Sequence, residues 1–180
     1  MNKTRMMTET ALMAAVLCIL GPLALPIGPV PISLATFGIL LSAYVMGPIK
    51  SAISCLIYLT VGAIGLPVFS GFQGGFAKLA GPTGGYLLGY LFLALIAGWF
   101  IHHFNNKTWM QFIGMCLGTA VLYAIGTFWL AHVAGLSFRE ALAAGVLPFI
   151  PGDIVKMIVA IALGKTLNRR LSQNNTIRPI

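Results

Sequence analysis

An acid and a base three positions apart, Asp153 and Lys156, are the residues of this sequence best suited to bind a polar ligand. They lie in the apolar run PGDIVKMIVAIALGK, where a spacing of three puts both side chains on one helix face. An ionisable group at bilayer depth costs about 2.5–3.5 kcal/mol on insertion scales and tends to face a cavity or a partner. We therefore predict a polar ligand site at the start of this helix. Two structural alternatives stay open: the charges could simply neutralise each other, or Asp153 could cap the helix while Lys156 snorkels outward.

Sequence patterns that accompany catalysis are missing from this chain. It contains no GxxxxGK[ST] phosphate loop, no HExxH zinc motif and no GxSxG nucleophile elbow. Cys18, Cys55 and Cys116 stand alone in apolar stretches, without a histidine or a second cysteine at metal-ligand spacing. We predict that the chain is not an enzyme and holds no metal and no cofactor.

The composition indicates the surroundings of the Asp–Lys pair. Hydrophobic residues make up 58% of the 180 residues and charged residues only 8%, whereas ordinary globular domains carry roughly 25% charged residues. The net charge is +8, but the basic residues lie in short breaks between apolar runs and form no basic face. This pattern excludes a nucleic-acid partner and predicts an all-α, polytopic protein of the lipid bilayer.

Six apolar segments approach the roughly 20 residues that a bilayer core requires. We predict one domain over residues 1–180, with spans at 6–25, 32–48, 51–66, 83–103, 109–134 and 148–166. Lys and Arg in short loops resist translocation and so set the orientation. With the N-terminus inside, the outer side holds only Lys78 and Arg139, and the inner side holds Lys3, Arg5, Lys50, Lys107, Lys165, Arg169, Arg170 and Arg178. We therefore predict a compact bundle of six transmembrane helices with both termini in the cytoplasm.

Small residues four positions apart recur at Ala11–Ala15, Gly85–Gly89, Gly114–Gly118 and Ala160–Gly164. Such pairs allow helices to approach closely in lipid. We predict that most of them are internal packing seams, whereas Ala11–Ala15 in the first span is also suited to contact another membrane protein.

A glycine-rich segment, residues 67–82, is the longest outward-facing connection in this topology. Loops of that length in compact proteins are usually functional or disordered, and glycine lets a backbone approach a ligand closely. The segment is therefore either part of the ligand site or a flexible surface loop.

Three stretches of the chain resemble the BioY family, the biotin-specific substrate-binding (S) components of energy-coupling factor (ECF) transporters. They are GPVPISLATFGILLSAYVMGP, GLPVFSGFQGGFAKLAGPTGGYLLGY and PGDIVKMIVA, in the family's order. The resemblance implies a six-helix protein of the cell membrane that binds biotin from outside and performs no catalysis. It also implies two kinds of partner, a transmembrane coupling (T) component and a pair of ABC-type ATPases, which use the ATP. Ala11 and Ala15 match the alanine pair that faces the T component in such proteins.

The resemblance also implies roles for individual residues in binding biotin. Asp153 accepts from the ureido N–H groups, and Lys156 donates to the ureido oxygen, in charge-assisted hydrogen bonds. The donors expected for the tail carboxylate are Gln73, Lys78, Thr83 and Tyr86, and Gly84 belongs to the same segment. The apolar middle of biotin is expected against Phe69, Phe72 or Phe76. Loops 26–31 and 67–82 are expected to close over the ligand, because outward loops with glycine hinges can move.

Three other functions are compatible with parts of this pattern. An S component for another vitamin, such as thiamine or riboflavin, would share the architecture, since few side chains select the substrate. A stand-alone carrier or channel would often show an internal repeat, and residues 1–90 do not repeat in 91–180. A membrane enzyme would need a nucleophile with a base, and the sequence offers no such pair.

Overall fold

The computed structural model describes residues 3–25 and 30–173, apart from the side chains of Arg5 and of residues 171–173. Residues 26–29 of the predicted outer loop, and Arg178 of the predicted inner set, lie outside this part of the chain. Within it the protein is mostly helical, as predicted. The elements are α1 (Lys3–Leu20), β1 (Ala24–Leu25), β2 (Ile32–Ser33), α2 (Ala35–Met46), α3 (Pro48–Ala63), α4 (Phe76–Ala80), α5 (Gly84–His103), α6 (Thr108–Ala134), α7 (Phe138–Gly145) and α8 (Ile150–Gln173).

The first helix ends at Leu20, before the predicted boundary at residue 25. Gly21 and Pro22 follow it, and proline has no N–H with which to continue a helix. The chain beyond forms an antiparallel hairpin in which β1 pairs with β2. Because β2 takes up residues 32–33, α2 begins at Ala35, later than the predicted second span.

A sharp break separates α2 from α3. Gly47 has a φ of +84°, which favours glycine, and Pro48 occupies the first turn of α3, where a missing N–H costs nothing. The third helix therefore covers residues 48–63, three residues earlier than the predicted 51–66.

Two short helices lie in segments that we predicted as connections. The first, α4, lies within segment 67–82. The second, α7, starts with a capping box, in which the Ser137 hydroxyl accepts from the Glu140 N–H and the Glu140 carboxylate accepts from the Ser137 N–H. The axes of α7 and α8 meet at a bend of 47°.

The helices differ in whether they can cross a membrane alone. Among the described residues, α5 and α6 are long and apolar enough, and the bent pair α7–α8 adds a third candidate. The apolar parts of α1, α2 and α3 are shorter, at Met6–Leu20, Ala35–Met46 and Pro48–Ala63. The described helices thus supply two to three clear spans by length, fewer than the six predicted.

Glycines bring α5 and α6 into close contact, as the small-residue spacings predicted. A Cβ on Gly89 would lie 3.1 Å from the Cα of Leu122, and one on Gly114 would lie 2.1 Å from the Cβ of Phe100. In the last helix, Gly164 packs in the same way against the Tyr44 ring. These three contacts are internal seams of the kind expected where helices approach closely in lipid.

Large apolar side chains cover the outside of the helices, while the interior contains polar groups. Leu56, Phe92 and Phe128 are exposed, whereas Ser42, Ser51, Gln111 and Asp153 are buried. Several interior polar groups find partners: the Tyr44 hydroxyl donates to Gln111 Oε1 at 2.8 Å, and Ser42 bonds to Ser51. An apolar exterior around an interior that holds the polar groups is the arrangement expected in lipid.

Candidate functional site

The Asp153–Lys156 pair lies at the start of α8 and is almost fully buried. The Asp153 residue is 6% exposed, and its N–H donates to the Phe149 carbonyl at 2.8 Å. Lys156 Nζ lies 2.9 Å from Asp153 Oδ1. The two side chains therefore share one face of the helix, as the spacing predicted.

The ammonium of Lys156 points into the protein. It donates to the Ser33 carbonyl oxygen at 2.7 Å and to Thr36 Oγ1 at 3.2 Å, in β2 and α2 respectively. The snorkelling alternative for this lysine is therefore wrong. The cap alternative for Asp153 is wrong as well, because α8 already begins at Ile150 and the carboxylate bonds to side chains.

A residue that we did not single out from the sequence completes the cluster. Tyr123 of α6 donates its hydroxyl to Asp153 Oδ2 at 2.5 Å. The two carboxylate oxygens thus have different donors, Tyr123 on one and Lys156 on the other, with Thr36 Oγ1 at 3.5 Å from the second. A buried tyrosine hydroxyl usually needs a partner, and that rule was the one signal in the sequence that could have drawn attention to Tyr123.

The pair opens onto a small cavity between the hairpin, α2, α5, α6, α7 and α8. Its volume is about 30 Å³, which is room for one or two water molecules. Polar and apolar side chains share the wall, and the lining residues are Val30, Pro31, Ser33, Thr36, Tyr86, Tyr90, Leu122, Tyr123, Gly145, Phe149, Asp153 and Lys156. This mixture suits a ligand with an apolar body and a few polar groups.

A second, largely apolar groove of about 240 Å³ lies between α6 and the start of α8. Its lining residues are Cys116, Thr119, Ala120, Tyr123, Ile150, Asp153, Ile154 and Met157. Among the described residues, Tyr123 and Asp153 alone line both the cavity and this groove. The hydrogen bond between them therefore lies in the wall that separates the two spaces.

Of the predicted tail-binding residues, Tyr86 is the one that lines the cavity. Its hydroxyl is buried without a hydrogen bond of good geometry. Thr83, three residues earlier and also buried, has a hydroxyl oxygen that likewise makes no hydrogen bond of good geometry. Gly84 has a packing role, because a Cβ there would lie 1.8 Å from the Leu79 carbonyl oxygen.

The remaining predicted residues of segment 67–82 lie outside the cavity wall. Phe72, Gln73 and Phe76 are exposed, and Lys78 on α4 is half-buried. Burial lowers the pKa of the Lys78 ammonium from its usual value. Phe69 is fully buried in the core, with its ring edge-on to Tyr58 at 5.6 Å between centroids, so it packs against protein.

Segment 67–82 is held at several points along its length. The Gly75 N–H donates to the Gly62 carbonyl at 2.7 Å, and the Gly71 N–H donates to the Pro22 carbonyl at 3.1 Å. At the other end, Trp129 Nε1 of α6 donates to the Gly81 carbonyl at 2.9 Å. Opening this segment as a lid would break these bonds and expose Phe69. At the other predicted lid, Val30 and Pro31 line the cavity.

The two alanines predicted to contact a partner are exposed on α1, and Ala14 between them is buried. Ala11 and Ala15 therefore form part of an outer face of this helix. Elsewhere, the described residues contain no group of three or more His, Cys, Asp or Glu side chains that could hold a metal ion.

The arrangement has the polar groups needed to recognise a small molecule. Asp153 and Lys156 offer a buried acceptor and a buried donor side by side, and Tyr86 and Tyr90 add hydroxyl groups to the same wall.

Known proteins of similar sequence and structure are transporters. A biotin transporter BioY2 of Lactococcus lactis subsp. cremoris is 38% identical over 97% of this chain and 96% of its own. A biotin transporter BioY of Rhizobium etli is 41% identical over 91% of this chain and 93% of its own. The crystal structure of an S component for biotin from an ECF-type ABC transporter superposes with a TM-score of 0.85 at 33% identity, covering 93% of this chain and 92% of that one. The BioY family model matches residues 1–173. This chain is a membrane protein, and it belongs to the BioY family.

Proposed function

We propose that this protein is the biotin-binding S component of an ECF-type importer, which captures biotin outside the cell and delivers it inward. The observation that carries the proposal is the buried Asp153–Lys156 pair in the wall of a cavity also lined by Tyr86. Relatives named as biotin transporters over nearly the whole chain support the choice of ligand. Transport needs no bond-breaking by this chain, so we propose that it is not an enzyme and has no cofactor of its own.

The chemistry of the ureido ring matches the pair. The ring presents N–H donors and one carbonyl acceptor, and we propose that Asp153 accepts from an N–H while Lys156 donates to the oxygen. An ammonium has three donors, and those of Lys156 are already directed at Asp153, Ser33 and Thr36. The bond to Thr36 is the longest of the three, at 3.2 Å. The ureido oxygen would therefore take the place of Thr36.

The cavity has to enlarge for a ligand of this size to enter. A volume of about 30 Å³ is far below that of an ordinary small-molecule pocket. We propose that lining residues such as Val30, Pro31 and Phe149 move apart when biotin binds. Segment 67–82, with its several anchoring bonds, would stay in place.

The tail carboxylate needs donors of its own. We propose Tyr86 first and Thr83 second, because their buried hydroxyl groups make no hydrogen bond of good geometry, and Thr83 caps the helix that carries Tyr86 three residues later. Gln73, Lys78 and Phe72 would act at the outer entrance, where Lys78 can attract the carboxylate before it enters. Gly84 would serve the site indirectly, by allowing α4 to approach α5.

We propose that six helices, α1, α2, α3, α5, α6 and α8, cross the cell membrane, with both termini in the cytoplasm. The short ones would be accommodated by local thinning of the bilayer or by neighbouring helices. The excess of Lys and Arg in the connections assigned to the inner side supports this orientation.

We further propose that the chain works with a T component and two ABC-type ATPases. The exposure of Ala11 and Ala15 on α1 supports the contact with the T component, because small residues allow a partner helix to approach closely. The structurally similar S component for biotin comes from an ECF-type ABC transporter, which supports this class of assembly.

Calorimetric titration of the purified chain in detergent tests this proposal. We expect biotin to bind at one molecule per chain, and thiamine and riboflavin to show no binding. Binding of another vitamin in place of biotin would keep the architecture and overturn the substrate. Binding of none of the three would overturn the proposal and favour a stand-alone carrier or channel.

A further inference from the structure

Tyr123 contacts the carboxylate of Asp153 from a different helix. Its hydroxyl is the donor to Asp153 Oδ2 within the described residues, at 2.5 Å, whereas Lys156 and the more distant Thr36 face Oδ1. Lys156 belongs to the same helix as Asp153, three residues on. Tyr123 belongs to α6, so its hydrogen bond ties the carboxylate closely to a second helix, whereas the contact with Thr36 of α2 is longer, at 3.5 Å.

The acceptor capacity of the carboxylate limits where a ligand can bind. An ionised carboxylate offers about four lone-pair positions, two on each oxygen. On Oδ1, Lys156 and Thr36 are already within reach, while Oδ2 has Tyr123 alone. The oxygen with a free position for a ligand N–H is therefore the one that Tyr123 holds.

Tyr123 also lies in the wall between the cavity and the apolar groove of about 240 Å³. The groove is lined mostly by side chains such as Ala120, Ile154 and Met157, which offer a carboxylate no hydrogen bond. If Asp153 turned towards the groove, its charge would lose hydrogen-bonding partners, at a large cost in a medium of low polarity. The hydroxyl of Tyr123 keeps Oδ2 from making that turn.

We propose that Tyr123 is a positioning residue for substrate specificity: it orients Asp153 Oδ2 towards a ligand N–H group and keeps it out of the apolar groove between α6 and α8. The inference rests on the proposed function, because it takes the ureido N–H of biotin as the group that Oδ2 recognises. It predicts that substitution of Tyr123 weakens recognition of the ureido ring and leaves recognition of the tail carboxylate unchanged.

The test measures ligand discrimination by the full chain in detergent with Tyr123→Phe. The probes are biotin, biotin amide, and the two cyclic carbamate analogues in which oxygen replaces one ureido N–H. Tyr44→Phe is the matched control, since it removes another buried tyrosine hydroxyl that bonds at 2.8 Å, to Gln111, away from the cavity. All variants are checked for monodispersity, and Tyr123→Met replaces Tyr123→Phe if the latter does not fold.

We expect Tyr123→Phe to weaken biotin binding by about 10-fold, the upper range for loss of one hydrogen bond. One of the two carbamate isomers should bind the unaltered protein more weakly than the other. For that isomer, the ratio of biotin affinity to carbamate affinity should be smaller in Tyr123→Phe than in the unaltered protein by about fivefold or more, because the interaction that orients the carboxylate is already gone. The ratio of biotin to biotin amide should not change, and Tyr44→Phe should match the unaltered protein in both ratios.

Equal loss of affinity for all four ligands, or no loss, would overturn the inference while leaving the proposed function intact. Equal binding of biotin and both carbamates by the unaltered protein would also overturn the inference, since the protein would then recognise neither ureido N–H group. Absence of biotin binding by the unaltered protein would instead overturn the proposed function, and this inference with it.

Discussion

The ammonium of Lys156 lies 2.7 Å from the main-chain carbonyl oxygen of Ser33, 123 positions earlier in the chain. This contact joins the start of α8 to the hairpin, and Ser33 in turn donates its hydroxyl to the Gly21 carbonyl at 2.8 Å. Lys156 is thus a structural link between the two ends of the chain as well as a donor in the cavity wall. Substitutions at this lysine should therefore affect binding and stability together.

Lys156→Met should weaken biotin binding by about 30-fold or more, because truncating one partner of a buried, hydrogen-bonded charge costs at least 2 kcal/mol. The free energy of unfolding should fall by about 3 kcal/mol, since Asp153 is left buried without its cation. Calorimetry and thermal unfolding in detergent measure the two effects. Lys165→Met is the control: Lys165 is on the same helix but exposed, bonding to Thr108 Oγ1, and its loss should change neither quantity. Unchanged binding by Lys156→Met would remove this lysine from the site.

Asp153→Asn should separate the contribution of the Asp153–Lys156 pair to biotin binding from its contribution to stability. The amide keeps the shape of the carboxylate and can still accept from Tyr123, and Lys156 retains Ser33 and Thr36 as acceptors. We expect the loss of stability to be smaller than for Lys156→Met. Biotin binding should still weaken by about 10-fold or more, because the charge-assisted bond to the ureido N–H becomes a neutral one. Normal binding by this variant would mean that the pair has only a structural role.

The sequence revealed the Asp153–Lys156 pair but could not reveal its partners. A spacing of three residues is local, and helix geometry converts it directly into a shared face. The contacts of the pair with Ser33, Thr36 and Tyr123 join positions 30 to 123 residues apart. Such contacts depend on which helices are neighbours and how they are rotated, and the period of an apolar pattern carries neither.

The helix boundaries show the same division between local and distant effects. The break at Gly47-Pro48 was predictable because it follows from backbone chemistry. The capping box that starts α7 was also visible in the sequence as Ser137 and Glu140, although we predicted a connection there.

The position of Phe69, in contrast, depends on a distant contact. This residue was expected near the ligand and lies in the core, because Gly62 leaves room for its ring. Composition does not indicate which aromatic residue of a glycine-rich segment turns inward.

Gly145→Ala should disturb the cavity from the α7 side. A Cβ at this position would lie 2.0 Å from the Tyr86 hydroxyl and 3.0 Å from Leu130. The ring of Tyr86 would have to shift, and overpacking of this kind typically costs 1–3 kcal/mol. We expect a lower thermal midpoint and biotin binding weakened by about fivefold or more, in line with that cost.

The matched control for this variant is Gly152→Ala. The nearest atom to a Cβ there is Ile32 Cγ2 at 4.0 Å, an ordinary contact. This substitution should leave the thermal midpoint and the affinity within error of the unaltered protein. If both glycine variants behaved alike, the position of Tyr86 would not matter for binding.

Substitutions along the proposed path of the biotin tail should differ in strength according to burial. Thr83→Val removes a buried hydroxyl without a partner, and we expect affinity to fall about fivefold because its bond to the carboxylate is lost. Gln73→Ala, at an exposed position, should change affinity by less than about twofold.

Lys78→Met should mainly slow the association of biotin. The difference in association rate from the unaltered protein should be smaller at high salt, as expected for electrostatic attraction at an entrance. Stopped-flow fluorescence separates the two rate constants, and a large rise in dissociation rate for Lys78→Met would instead indicate direct contact with the bound tail.

Enlarging both alanines of α1 should separate ligand capture from transport. Ala11 and Ala15 are exposed and lie outside the cavity wall, so the double variant with leucine at both positions should bind biotin as the unaltered protein does. Close approach of a partner helix requires small residues. The two larger leucine side chains on that face should therefore prevent assembly with a T component. Co-purification with the T component and two ATPases, and uptake of labelled biotin into cells that express all subunits, measure this effect. Leu117→Trp, at another exposed apolar position on α6, is the control for added bulk in the bilayer. Normal uptake by the Ala11→Leu, Ala15→Leu double variant would place the contact with the T component on a different face.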